Sequence, residues 1–265
     1  MYKELLHIYG PISIYSYGLC IAIGLYLGIW LMQRHPLFKK LNIAPHFVSL
    51  IIVSVLSGLL GGRLLYMLTE PDGSLTLTDF FSYWNGGFSI LGCVLALCVA
   101  LPIWLARCHI PVLPFLDLVA IYAPLIQSIS RIGCLCAGCC HGIPSDVFWA
   151  ITYQDPESIA PVHVCLHPTQ LYSSALLFSI FCLMYWFFQY RFKKPGQLLA
   201  IYLAASSMER FVVDFWRADR IFFDAEMLQL LSVNQWIAFG IILISLSALY
   251  LISHTEQSDR IDRSL

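Results

Sequence analysis

The chain has 265 residues, 59% of them hydrophobic and only 12% charged, about half the charged share of a soluble domain. Its 15 Lys and Arg against 16 Asp and Glu leave a net charge of -1, with no basic tail or charge run to engage nucleic acid. A soluble globular domain and a nucleic-acid binder are thereby excluded, and a membrane protein surrounded by membrane lipids is expected.

The N-terminal stretch MYKELLHIYGPISIYSYG lacks the charged start and small-residue cleavage site of a secretory signal, so the first apolar run is expected to remain as a span. Crossing a hydrocarbon core about 30 Å thick takes roughly 20 apolar residues. Seven segments qualify in chain order: 14–33, 47–68, 88–106, 112–130, 169–190, 197–215 and 234–253. The sixth is unusual, because Glu209, Arg210, Asp214 and Arg217 fall in or just past its second half. With no internal repeat, the expected fold is all-α and polytopic, with seven transmembrane helices in one bundle over residues 1–265.

Orientation follows from Lys and Arg. Arg34, Lys39, Lys40, Arg107, Arg191, Lys193, Lys194, Arg260 and Arg263 share one side; Lys3, Arg131, Arg217 and Arg220 share the other. The richer side is cytoplasmic, so the N-terminus is expected outside, the C-terminus inside, and the 131–168 connection facing outward. Ionisable groups inside spans mark functional sites. Arg63, in the second span, points toward that outer side, as do Arg210, Asp214 and Arg217, which are spaced by four and three and are expected to share one helix face. Asp214 suits Arg210 or Arg217 as a counter-ion within the bundle; either pairing leaves an arginine for an anion, and guanidinium grips phosphate through two parallel bonds.

Further along, LHPTQLY at 166–172 opens the fifth span. Pro168 fits a first helical turn, whose free N–H groups make an anion seat beside His167; capping is the plainer role for that histidine. Tyr15 and Tyr17 suit either an interfacial aromatic belt or catalysis. Gly58, Gly61, Gly62, Gly86, Gly87, Gly138 and Gly142 fit close helix packing, and the pairs at a span mouth also leave room for lipid.

The ordered series YSYGL (15–19), LLGGRLLYML (59–68), WNGGFS (84–89), RIGCLCAGCCHG (131–142), HPTQLY (167–172) and ERFVVDFWR (209–217) resembles the bacterial prolipoprotein diacylglyceryl transferases over nearly the whole chain. The resemblance implies a seven-span enzyme of the bacterial cytoplasmic (inner) membrane with its site at the outer leaflet. It implies transfer of the diacylglyceryl group of phosphatidylglycerol to the lipobox cysteine in the signal-peptide region of a prolipoprotein, without a cofactor. On this resemblance Arg131, Arg210, Tyr17 and His167 are catalytic; the residues themselves add Arg63, Gly86, Gly87, Gly138, Gly142 and Arg217 as substrate-binding, and His141 as a substitute base.

Four positions depart from the family pattern. Where the family reads SFHGG this chain reads SILGC, so Leu91 replaces a histidine. In the signature loop, Cys134 stands at an asparagine and Cys139 at a glutamate, and Ser206 replaces a tyrosine. The rewritten loop offers a thiol site of Cys134, Cys136, Cys139 and Cys140. Disulfides, including the Cys136-x-x-Cys139 pair, would brace it in an oxidising compartment. A zinc or copper(I) site is the second reading, although adjacent Cys139 and Cys140 do not easily ligate together, and no metal is assigned. A catalytic thiolate near Arg131 is the third. The alternative functions are a membrane thiol redox protein or a non-catalytic lipid or peptide receptor.

Overall fold

A computed structural model describes residues 4–9, 12–69, 80, 87–156, 158–223 and 230–262. The described chain is helical apart from two short antiparallel pairs, β1 (Glu4–Tyr9) with β2 (Ile12–Tyr15), and β3 (Ile151–Thr152) with β4 (Cys165–Leu166). The helices are α1 (Ser16–Arg34), α2 (Pro36–Lys40), α3 (Phe47–Thr69), α4 (Ile90–Arg107), α5 (Val112–Ala137), α6 (Thr169–Leu183), α7 (Gln189–Arg191), α8 (Gln197–Val213) and α9 (Val233–Asp262). A π-helical stretch, Met184–Phe188, joins α6 to α7.

Six helical segments are long and apolar enough to cross a membrane: Ser16–Arg34, Ala44–Thr69, Ile90–Arg107, Val112–Ala137, Thr169–Arg191 and Val233–His254. They match six of the expected spans and define a multi-pass membrane protein. The remaining expected segment, 197–215, is helical over Gln197–Val213, but its 17 residues and its Glu209 and Arg210 keep it outside that set.

The chain divides into two compact units, Met1–Arg34 with Leu116–Leu265, and His35–Phe115. In the second unit, α3 packs on α4. A Cβ on Gly61 would stand 2.6 Å from the Gly92 carbonyl oxygen, and one on Gly92 would strike the Gly61 carbonyl. Only paired glycines let these two backbones meet. Arg63 is buried beside them, its Nη1 donating to the Gly87 carbonyl at 2.7 Å.

In the first unit α1 rests on α5 in the same manner, since a Cβ on Gly28 would lie 2.6 Å from the Ile126 side chain. α8 packs on both α6 and α9. Its start is fixed by a buried carboxylate: Asp117 of α5 accepts from the Gly196 and Leu199 N–H groups at 2.6 and 2.8 Å, a charge placed where a helix leaves its amides unpaired. α9 starts with a reciprocal cap. Ser232 Oγ accepts from Gln235 N–H at 3.2 Å, and Gln235 Oε1 accepts from Ser232 N–H at 2.9 Å.

The connection after α5 carries structure of its own. Tyr153, Ala160 and Leu166 are buried together, with Ile151 and Val164 against them. The Tyr153 hydroxyl donates to the Leu135 carbonyl at 3.1 Å, tying this small core to the end of α5.

Candidate active site

Three segments that are distant in sequence are sewn together by backbone hydrogen bonds. Gly142 N–H donates to the His167 carbonyl at 3.0 Å, Ile143 N–H to Trp216 at 2.9 Å, His167 N–H to Ile143 at 3.1 Å, and Ala218 N–H to His141 at 3.2 Å. Gly142 bridges Arg217, and Pro144 bridges Leu166, both antiparallel. A Cβ on Gly142 would lie 2.6 Å from the His167 carbonyl and 2.8 Å from that of Trp216. The structure thus brings His141, Gly142, His167 and Arg217 to one place, and the reason for the glycine is this crossing of strands.

Arg217 is not on the face expected for it. α8 ends at Val213, a 3-10 turn covers Asp214–Trp216, and Arg217 is extended at φ -79, ψ 145. Its partner is also different: Asp219 takes its Nε at 2.8 Å and its Nη2 at 2.5 Å. Burial opposes the charge of Arg217, but Asp219 and the Cys140 sulfur outweigh it and raise its pKa. Burial works on Asp219 too, yet Arg217 holds its carboxyl below the usual range. Asp214, fully buried, is 3.7 Å from Arg210 and from Arg220 and is bonded to the Ser232 hydroxyl. The Arg210–Asp214 pairing expected from the spacing is therefore present, and Arg217–Asp214 is replaced by Arg217–Asp219.

Arg131 and Arg210 meet at a cavity of about 420 Å³ lined also by Tyr17, Cys134, Glu209 and Asn234, a volume suited to a small ligand or headgroup. Among the described residues no carboxylate forms an ion pair with Arg131. Glu209, buried, receives a bond from Ser173, and its Oε1 has no hydrogen-bond partner among the described residues.

His167 does not cap α6. Pro168 occupies the cap position without a side-chain bond, and His167 Nδ1 lies 3.0 Å from the Tyr172 hydroxyl, which also takes the Trp149 indole N–H at 2.6 Å. The N–H groups of Thr169, Leu171 and Tyr172 reach the carbonyls of His167 and Pro168, so these three groups of the expected anion seat are taken up by the chain itself.

The cysteines separate into two kinds. Sγ atoms of Cys134, Cys139 and Cys140 all lie within 4.8 Å of one another, while Cys136 and Cys165 are outside the group and every cysteine is a free thiol. Gly138 ends α5 at φ +76 and Cys140 is left-handed at φ +58, a conformation uncommon for residues with a side chain. That backbone turns the neighbouring thiols to the same side, so adjacency does not keep them apart as the spacing suggested. Thr169 Oγ1 holds the Cys140 carbonyl at 2.7 Å and Gln170 Nε2 the Cys139 carbonyl at 2.8 Å. The Cys140 thiol is held far below its ordinary range by bonds from Cys134 and Cys139 and by Arg217; bonds to Cys134 and Cys140 push Cys139 far up. Burial pushes neighbouring Tyr153 up to about 12.

Arg63 and Gly87 are together in the second unit, Gly86 is outside the described residues, and Tyr17 lines the cavity. Residues the sequence analysis did not assign are Glu209, Thr169, Gln170 and Asp219. The first three lie in segments whose motifs were already conspicuous, HPTQLY and ERFVVDFWR; Asp219, two residues beyond, carries no such signal.

Arginines lining a cavity of a multi-pass helical membrane protein mark a functional site. The family described as prolipoprotein diacylglyceryl transferase matches residues 3–251. The chain is 28% identical over 235 residues to the phosphatidylglycerol-prolipoprotein diacylglyceryl transferase of Clostridium tetani, covering 89% of this chain and 92% of the relative. Transferase 2 of Clostridium perfringens is 33% identical over 237 residues, 88% of each; that of Corynebacterium glutamicum is 32% identical over 228 residues, 79% and 71%. This chain belongs to the prolipoprotein diacylglyceryl transferase family.

Proposed function

We propose that the chain transfers the diacylglyceryl group of phosphatidylglycerol to the cysteine thiol of a prolipoprotein. The observation that carries this is the cavity holding Arg131 and Arg210 together, with Arg131 unmatched by any carboxylate among the described residues. A phosphodiester between them keeps its single charge; when the carbon–oxygen bond breaks, a second charge develops on the departing glycerol phosphate. Preplaced guanidinium groups stabilise that change more than the ground state. Glu209 lines the cavity within the electrostatic reach of both arginines, and Tyr17 orients the headgroup from α1.

In this reading α8 is a seventh span of one bundle with the N-terminus outside and the C-terminus in the cytoplasm, as the Lys and Arg distribution supports. The cavity then opens toward the outer leaflet of the cytoplasmic membrane, where the exported signal-peptide region arrives. His167, with Tyr172 and Trp149, shapes the approach, and Arg217 fixes the strand crossing beneath it. Purified protein given phosphatidylglycerol and a lipobox peptide should add one diacylglyceryl mass to the peptide. No mass gain, under conditions where the C. perfringens relative modifies the same peptide, would overturn the assignment.

A further inference from the structure

The reaction requires the acceptor sulfur as a thiolate, and the cavity lining contains no histidine to take the proton. Leu91 cannot do so either. The wall of the same cavity does, however, carry one member of a group built for a soft cation: Cys134 lines it, and the sulfurs of Cys139 and Cys140 stand within 4.8 Å of one another and of Cys134. Zinc held by sulfurs at about 2.3 Å in tetrahedral geometry needs them about 3.8 Å apart, within that spacing.

We propose that Cys134, Cys139 and Cys140 hold a zinc ion whose fourth position receives the acceptor cysteine as its thiolate. This rests on the transferase reading above. Three protein ligands with an open position is the pattern of reactive rather than structural zinc, which is closed by four. No fourth His, Cys, Asp or Glu among the described residues joins the three; the His141 ring is turned to the Gly142 carbonyl, its Nδ1 at 3.1 Å. The surroundings are those of a fixed site. Thr169 and Gln170, both fully or almost fully buried, pin the carbonyls of Cys140 and Cys139. The Arg217 guanidinium lies beside the Cys140 sulfur, where its charge offsets part of the negative charge of three thiolates, as outer groups do for metal ligands.

Coordination releases the acceptor's proton to solvent, because a metal-bound thiol is deprotonated. The sulfur then attacks the glycerol methylene that bears the phosphate. A carbon–sulfur bond forms, the carbon–oxygen bond breaks, and its electron pair leaves on the phosphate between Arg131 and Arg210. No oxidant or reductant takes part. The thioether product is a weaker ligand than a thiolate and leaves the zinc.

The test uses the full chain purified in detergent. One zinc per chain is expected; cobalt(II) exchanged into it should show sulfur-to-metal charge-transfer absorption, which changes on adding a lipobox peptide but not its Cys→Ser counterpart. Cys134→Ser, Cys139→Ser and Cys140→Ser should each lose the metal, Cys136→Ser should keep it, and Gln170→Leu should weaken it by about 10-fold to 100-fold. Because a cysteine variant can misfold, stripping and reloading the unaltered chain provides the second arm. A metal-free chain that cannot be loaded, copper(I) in place of zinc, or a cobalt spectrum blind to the thiol peptide each overturns the proposal. Transfer that persists after stripping overturns the metal's part. Zinc and thiol binding with no transfer would instead sink the transferase reading and leave the site standing.

Discussion

Arg131 and Arg217 stand on two sides of the same signature loop in very different company. Arg217 is 3% exposed, bonded twice to Asp219, set beside the Cys140 sulfur, and locked into a backbone crossing with Gly142. Arg131 faces a cavity with Arg210, which is 29% exposed and only 3.7 Å from its aspartate at closest approach. Arg217 is held by a close ion pair, whereas no carboxylate among the described residues forms one with Arg131. The lesson is that charge near a site identifies neither role; the partners already present do. On the proposed reading, arginine at the cavity serves transfer and arginine at the crossing serves shape.

Exchanging arginines tests this division most strongly. Arg131→Ala and Arg210→Ala should each lower kcat/KM for transfer by about 10²-fold to 10³-fold, the range for removing one donor to developing charge, with little change in thermal melting. A large loss of stability in either would show that they, too, are scaffold. Gly142→Ala should act in the opposite way, destabilising the fold by about 2 kcal/mol as the added methyl drives into two carbonyls, read as a lower melting temperature. If Gly142→Ala melts normally, the crossing is not the rigid element described. Asp219→Asn removes the charge that holds Arg217; a loss of about 1–3 kcal/mol is expected for a buried arginine left with a weaker partner, alongside a rate changed far less than in Arg131→Ala. The smallest effect should come from Tyr153→Phe, which deletes a bond to Leu135 and one with Gln170, costing about 1 kcal/mol in the melting curve.

Six spans were legible because twenty consecutive apolar residues have few other uses, and the boundaries at Arg34, Arg107 and Arg191 fall at charged residues. The 197–215 segment was expected as a seventh span; it is helical, but over only the 17 residues Gln197–Val213, with Glu209 and Arg210 in its last part. Arg131 and Arg210 could be picked out by charge in apolar surroundings. Asp219, Thr169 and Gln170 could not, because an exposed-looking aspartate and two ordinary polar residues acquire importance only through what they touch. The Arg217 face failed for a plainer reason: helical spacing was carried past the point where α8 ends.

Sequence alone determined that this is a multi-pass membrane protein and which family's motifs it carries, since composition and local order along the chain encode both. Tertiary structure alone decided which cysteines meet. Cys136 and Cys139 form the obvious C-x-x-C, but Cys136 lies on the last turn of α5 away from the group, whereas the left-handed turns at Gly138 and Cys140 carry two adjacent thiols back to Cys134. Backbone dihedrals at two residues, held by Thr169 and Gln170 from a helix that begins about 30 residues later, are not written in any local pattern.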